Sequence, residues 1–578
     1  MSSHPSFRSV LLLYLCLVFM HTRSSAQGTW VPITDSAPAA CGGQMLLMSD
    51  GTVMAKSSVW NLWMRLKPDI HGSYIHGTWS LTDTMFSSRL AFSSCVLRNG
   101  HLYAAGGEYG TGKATVETFD PITGHWTNAP AMSGGDYISD APSSLLSNGN
   151  VLQGFFPASG SSDCKIFVPS ANIYFPGPAT LGDFDESTWL KLPDNSILFA
   201  DREHRASERY IPALNTWVAD DTLPVSVYDT WDGETGPAFL LPDGRAFFTG
   251  SPGTTAYYTP SGTASPGSWA AGPIFPGSQG VPDAAGAMMV NGKILIAVSF
   301  VPYGPLVYPS PTAFFEFNYL LDSFTLVTAP TGAPNMAIPC YYTNMLDLPD
   351  GSVLFAANGF THYYEYVPDG SPLAAGKPVI NNIFKIACDT YMITGTGFNG
   401  ITEGASYGDD EQMASNYPLV RLSASGNMYY AFSYNWNTAG VMRGALPDTA
   451  FFVLPVALPE GTYDLAVVAN GNPSDPHSFS TCMPSLSSSS VAFENDNSFY
   501  AYPNPSTGQT TIVFDSRDDG KYGLKVIDVT GRTIRYETGI ATTGENKCQL
   551  DLSAMPKGLY TVILIKEDDV RKIQLAVE

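Results

Sequence analysis

The sequence predicts an all-β protein in which a seven-bladed β-propeller precedes two smaller β-sandwiches. Three observations carry that reading. A polar turn followed by an apolar strand, as in "LPDGSVLFAANG" from Leu348, recurs seven times, with turn residues Gly51, Gly100, Gly149, Asn195, Gly244, Gly292 and Gly351. The steps between them are 49, 49, 46, 49, 48 and 59 residues. Such a period marks a supersecondary unit that cannot bury its apolar face alone and must stack on its neighbours. Composition agrees, because 54 Gly and 43 Pro with only 14% charged residues in 578 positions describe many turns between short apolar strands.

Taken in order, the chain opens with Arg8, an apolar run from Val10 to Met20, and the small residues Ser24, Ser25 and Ala26. Residues 1–26 therefore read as a secretory signal. The run is well short of the roughly 20 residues that a membrane span requires, and no later stretch reaches that length, so no transmembrane segment is expected in the mature chain.

Residues 28–370 hold the seven repeats. Each Asn/Asp-Gly turn joins the two inner strands of a tight hairpin. "TFDPITGHW" ending at Trp126, "RYIPALNTW" at Trp217 and "YYTPSGTASPGSW" at Trp269 supply a third and fourth strand. The first repeat uses "SYIHGTW" ending at Trp79, and the third and sixth use the degenerate "KIFVPSANIYF" and "FFEFNYLLDSF". Four antiparallel strands in nearly 50 residues make a blade of the kelch type. The seventh repeat ends in "HYYEYVPDG" without a Trp strand, whereas "GTWVPI", residues 28–33, stands before the first repeat with no blade of its own. It is assigned to blade seven, where it closes the ring and removes the open sheet edges.

After residue 376 the rhythm stops. "YMITGTGFNG", "PLVRLSASGNMYYAFSY", "AFFVLP" and "GTYDLAVVANG" alternate as the strands of an immunoglobulin-like β-sandwich over residues 376–482. Cys388 and Cys482 stand at its ends, and spacing alone leaves their pairing open. Loss of Cys16 with the signal leaves seven of the eight cysteines, an odd number, so at least one has no partner in the chain. No CxxC or clustered Cys/His spacing occurs, so no structural zinc site is expected. Residues 483–498, with "SLSSSS", read as a linker, and residues 499–578 as a third all-β module.

That last module closely resembles the C-terminal sorting domain of the type IX secretion system of Bacteroidetes. The matching residues are Pro503, Asn504 and Pro505, the turn Asp528-Val529-Thr530-Gly531, the run Gly558-Leu559-Tyr560, and a basic, apolar last strand with Lys572. The resemblance implies export to the periplasm, then passage across the outer membrane by the type IX machinery. The protein would be secreted or attached to the outer cell surface, often with this domain removed.

Propeller and sandwich together resemble galactose oxidase and the glyoxal oxidase-like proteins. That resemblance implies copper and a tyrosyl radical, held by a Cys-Tyr thioether, a second Tyr and two His, with the propeller ligands nine or ten residues before the turns. Cys41 lies ten before Gly51 and Tyr341 ten before Gly351, where the thioether Cys and the second Tyr belong. Ala91 stands where the cross-linked Tyr belongs, Tyr342 where the first His belongs, and the sandwich loop "FSYNWNTAG" offers Tyr434, Asn435 and Trp436 but no His. With two of five ligands, copper is not expected, and Cys41 and Tyr341 read as packing residues.

The same register holds Asp140, Glu186, Glu234 and Asp283 at nine, nine, ten and nine residues before their turns. With Tyr341 and Tyr342 they would form a half-ring of carboxylates beside aromatics at the channel mouth. Such a set could hold calcium or sugar hydroxyls, or its acids could instead cap backbone N–H groups between blades. Glu234, one residue out of step, would point away unless a bulge restores it. Glu203 and His204 in "DREHR" read as a solvated charged turn, and "YGDDE" from Tyr407 lacks the spaced oxygens of a calcium loop.

A net charge of −23 repels phosphate and so disfavours nucleic acid as a partner. The sequence thus points to an exported, surface-attached binding protein for a glycan or other surface ligand, needing no cofactor and having no catalytic residues. The alternatives are a copper radical oxidase acting on alcohols or aldehydes, and a structural surface protein.

Overall fold

The computed structural model describes residues 27–577, apart from 133–134, 159–161, 387–388, 408–410, 413–414, 457, 482–498, 528–532, 554 and 567–568. The signal segment, the Ser-rich linker, Cys388, Cys482 and the turn with Gly531 lie outside the described residues. Five cysteines within them, Cys41, Cys95, Cys164, Cys340 and Cys548, form no disulfide among the described residues. The chain divides into two compact units, Met1–Met483 and Pro484–Glu578.

In the first unit the seven repeats form seven antiparallel sheets arranged as a propeller. Blade one shows the pattern: Cys41–Leu47 pairs with Val53–Ser57, then come Trp63–Lys67 and Thr78–Leu81. The turn residues between the inner strands all take a left-handed φ, from 68° at Asn195 to 89° at Gly149 and Gly351, which explains why only Gly and Asn occupy them. Outer hairpins form where the aromatic-Pro-turn-Trp segments lie, as in Val116–Asp120 with His125–Ala129. The degenerate repeats keep the same two strands without the Trp, Asp163–Val168 with Ile173–Pro176 and Ala313–Asn318 with Ser323–Val327.

The ring closes as the unpaired seventh repeat requires. Thr29–Pro32 adds to Tyr364–Val367 with Thr29 opposite Val367 and Trp30 opposite Tyr366. Trp30 then wedges between blades six and seven, its ring centroid 5.4 Å from Phe314, 5.3 Å from Phe355 and 4.7 Å from Tyr366. Its indole N–H donates to the Thr328 carbonyl at 2.7 Å.

The sandwich, Val379–Lys385 through His477–Ser480, covers the face of the propeller that carries the inner turns. Met428 N–H donates to Ile70 O at 2.7 Å, Ala439 N–H to Ser147 O at 3.0 Å, and Tyr417 Oη to Leu47 O. One apolar core runs through both, joining Met54 and Met64 of blade one and Leu354 of blade seven to Leu422, Phe452 and Val467 of the sandwich. A hairpin of the sandwich also enters the channel. Glu403–Tyr407 pairs with the innermost strand of blade five, Ala238–Leu240, and Glu411–Gln412 returns beside it. The Glu403 carboxylate accepts the Lys191 N–H at 3.0 Å, and Lys191 Nζ donates to Ala439 O at 3.0 Å. Within this unit, none of the described residues of the sandwich strands covers the mouth on the opposite face.

The second unit packs a three-stranded sheet and a four-stranded sheet around Ile512, Phe514, Leu524, Val562, Leu564 and Leu575. The motif around Pro503 and Pro505 is tied to the last strand, since Ala576 N–H donates to Asn504 Oδ1 at 3.0 Å and Ser506 N–H to Ala576 O at 2.8 Å. Gly558 opens the strand Gly558–Lys566, in which Tyr560 Oη donates to Pro556 O at 2.5 Å, and Lys572 lies on its partner Asp569–Val577.

Trp30 is half-buried, less than full burial would give, so Trp30→Ala is expected to cost about 2–3 kcal/mol, below the ~3–5 kcal/mol of a fully buried Trp. Urea unfolding measures it. Removing residues 28–33 uncovers the edge at Tyr364–Val367 and should produce association visible by light scattering; a deletion variant as stable and monomeric as the parent would contradict the closure role.

Candidate functional site

The four register acids do not lie on the inner strands. Each precedes its strand in the incoming loop: Asp140 before Ser143–Leu145, Glu186 before Leu190–Lys191, Glu234 before Ala238–Leu240 and Asp283 before Gly286–Met288. Strand periodicity therefore does not set their direction. Three of the four share a backbone state instead, since Asp140, Glu186 and Asp283, like Ala91 at the same nine-residue offset, have φ of 49°, 60°, 50° and 40° respectively, whereas Glu234 does not. That left-handed state is tolerated by Asp and is uncommon for Ala and Glu.

The half-ring can be followed as two groups, which are linked where the Tyr109 hydroxyl acts on that of Tyr341. In the first, Asp140 and Glu186 meet Glu108, with carboxylate oxygens of all three within 4.8 Å of one another. They come from loops of blades three, four and two. Asp140 Oδ2 also accepts from Ser139 Oγ at 3.0 Å. Tyr109 stands beside them, and the Glu108 carboxylate, then burial, then Asp140 and Glu186 hold its hydroxyl well above the usual phenol range. Glu108 and Tyr109 escaped the sequence reading because they lie in the loop after the second inner strand, outside the register.

In the second group Glu234 stands with Tyr308, whose hydroxyl donates to Glu234 Oε1 at 2.8 Å. Burial pushes the Glu234 carboxyl up to about 7; the Tyr308 hydrogen bond and Arg202 oppose this, while Asp229 and Asp232 add to it. Tyr308 packs edge-on to Tyr341 at 5.0 Å, and Tyr341 to Tyr342 at 4.6 Å. Burial, the Tyr342 hydroxyl and then Asp283 raise the Tyr341 hydroxyl. Tyr308 was also missed. Its signal was the 59-residue step, since the extra length forms the loop between Ile294–Phe300 and Ala313–Asn318 that carries it.

Backbone capping between blades is carried by acids outside the register. Glu117 accepts Phe86 N–H at 2.7 Å and Ser87 N–H at 2.9 Å, and Glu208 accepts Leu181 N–H at 2.9 Å and Gly182 N–H. Asp201 Oδ1 accepts Glu203 N–H at 2.7 Å and His204 N–H at 2.9 Å. The side chains of Glu203 and His204 are 65% and 70% exposed, at the edge of a cavity between blades three and four. The side chains of "YGDDE" lie outside the described residues.

The residues present do not fit a copper radical centre. Cys41 is fully buried, 3.7 Å from Asn358 Oδ1 and Asn344 Nδ2, while Ala91 and Tyr342 replace a Tyr and a His. The loop with Asn435 belongs to the other face, where Asn435 N–H donates to Arg98 O at 2.5 Å. What gathers at the mouth is a set of carboxylates and phenols, hard oxygen donors that suit calcium better than copper.

Residues 500–578 match the family model of the secretion system C-terminal sorting domain, and residues 89–133 match the kelch motif. None of the curated proteins matches the chain. Among solved structures it is similar to a fungal alcohol oxidase of the AA5 family in complex with copper, at 14% identity and TM-score 0.48, over 79% of this chain and 99% of that one. It is also similar to a streptogramin B lyase, at 13% identity and TM-score 0.39, over 59% of this chain and 98% of the other. A catalytically inactive virginiamycin B lyase from Staphylococcus aureus with quinupristin shows 10% identity and TM-score 0.38, over 59% and 99%. The chain thus carries kelch repeats and a type IX sorting domain, and it is exported, to be secreted or attached at the outer cell surface.

With its carboxyl raised from 4.5 to about 7, Glu234 binds more proton in the folded than in the unfolded chain between those values. Stability from this residue is therefore greatest in acid and is lost as pH rises through the window. Glu234→Gln should gain stability over the parent from about pH 5 to about pH 7 and hold that gain above, in thermal melts at matched pH; a constant difference would show that Glu234 titrates normally.

Proposed function

We propose that the protein captures glycans at the cell surface through the mouth of its propeller and catalyses no reaction of its own. The observation that carries this reading is the composition of one open face. Its centre holds two groups of carboxylates and phenols, and its loops expose Trp60, Phe86, Tyr109, Trp231 and Tyr303. Sugar hydroxyls donate to carboxylates, while the C–H faces of the rings pack on aromatic side chains. Attachment at the outer surface would present such a face to external polysaccharide.

The trio Glu108, Asp140 and Glu186 favours calcium as a co-ligand. Three carboxylates close together at one mouth repel one another, and a hard divalent cation relieves that repulsion while leaving coordination positions for sugar oxygens.

A glycan array probed with the protein lacking residues 1–26, with calcium and with chelator, tests the reading. Retention of particular oligosaccharides without turnover is the expected result, with a stabilisation of about 2.7 kcal/mol at a hundredfold excess over Kd. Peroxide release from alcohols or aldehydes after copper loading would instead establish an oxidase, and no retention under any condition would leave a structural role. Export is tested separately: a chain ended after residue 490 should fold and remain in the periplasm, and its appearance on the surface would refute the sorting role of the last module.

A further inference from the structure

The mouth is not evenly filled. Between the third and fourth blades it opens into a cavity of about 680 Å³, a size that suits a sugar-sized ligand. One wall is Tyr137 stacked on Phe156, ring centroids 5.5 Å apart and 24° from parallel. Reciprocal backbone bonds fix the pair, Tyr137 N–H to Phe156 O at 3.0 Å and Phe156 N–H to Tyr137 O at 2.9 Å. The rest of the lining is acidic, with Asp140, Asp183, Asp185 and Asp201. A guanidinium reaches one of them, since Arg202 pairs with Asp185.

Asp201 is the decisive residue. It is 4% exposed, and its Oδ1 takes the N–H groups of Glu203 and His204. Its Oδ2 has no hydrogen-bond donor among the described residues and sits against Gly182, where any side chain would collide with it. Asp201 and Gly182 both line the cavity, which places this oxygen at the cavity wall. Glu208 lies behind, buried and with its carboxyl pushed up chiefly by burial, so no positive charge comes from that side. Facing the cavity and not sealed from it, this oxygen is free to accept from a donor on a ligand. His204 Nδ1 lies 3.3 Å from Asp201 Oδ1, so a neutral sugar could donate to Asp201 but would leave Asp140 and Asp183 without a cationic partner among the described residues. An ammonium group supplies donor and charge together, and the stacked aromatics accept either a ring face or a cation. Calcium at Glu108, Asp140 and Glu186 would compete with the ammonium for Asp140.

We propose that this cavity is a subsite for an amino sugar, the pyranose ring against Tyr137 and Phe156 and the ammonium held within the acidic lining that Asp140, Asp183 and Asp201 provide, not at one point shared by all three. The proposal rests on the glycan reading above and narrows it to a ligand class.

The test is calorimetric titration with a β-1,4-linked glucosamine oligomer and with its N-acetylated counterpart, at about pH 6, where the free amine is protonated. The glucosamine oligomer should bind at least about tenfold more tightly, with an affinity that falls as salt is added. Asp140→Asn and Asp183→Asn should each remove most of that preference. Asn takes the left-handed φ of position 140 as readily as Asp, and thermal melting verifies that each variant is folded. Equal affinity for the two oligomers, or a preference untouched in both variants, overturns the amino-sugar assignment and leaves glycan binding standing. Binding of the glucosamine oligomer only when calcium is present would assign the carboxylates to the metal and overturn the ammonium contact. Failure of both oligomers, together with an empty glycan array, removes both readings.

Discussion

Everything at the mouth depends on the closure of the ring by four residues, Thr29–Pro32. A propeller blade presents one loop to the mouth from each end of its inner strands, and the height of that loop is set by the blades on either side. An open ring would splay, and the carboxylates of blades two, three and four would no longer meet. Trp30 does more than complete a strand, since its contacts with Phe314 and Phe355 join two blades through one side chain. Gly28 belongs to the same device: a side chain there would strike the Tyr366 ring.

The sandwich stabilises the same geometry from the other side. Its hairpin extends blade five into the channel, and the buried contact of Glu403 with Lys191 anchors it. Burial moves both groups toward their neutral forms, the Lys191 amine down and the Glu403 carboxyl up, while their mutual attraction opposes each shift. Removing one partner would strand the other without water. The plug also means that the channel is closed below the mouth by the hairpin paired to blade five.

The repeat turns, outer hairpins and missing strand were legible in the sequence because each rests on local chemistry: glycine where φ must be positive, alternation along strands, and a strand left over at one end. The site was legible only in part. Equal spacing from equal turns picked out Asp140 and Glu186, which meet Glu108, but it assumed strand geometry where the chain makes a left-handed kink at Asp140, Glu186 and Asp283. Glu108, Tyr109 and Tyr308 come from loops that follow the second inner strands, whose approach depends on how neighbouring blades pack. Asp201 looked like part of a solvated charged turn because sequence shows its neighbours Glu203 and His204, not its burial under Gly182.

The closing strand also bears on how the chain comes to be folded. Trp30 and Thr328 are 298 residues apart, so the contact that locks the ring joins the first described strand to nearly the last part of the propeller. Each doubling of such a loop adds only about 0.6 kcal/mol of closure entropy, a modest thermodynamic burden. Kinetically the effect is larger, because long-range pairing comes late and slowly. Until Tyr364–Val367 has emerged and been met, six complete blades stand with an unfilled edge, and a chain bound for export spends that interval as its most adhesive form.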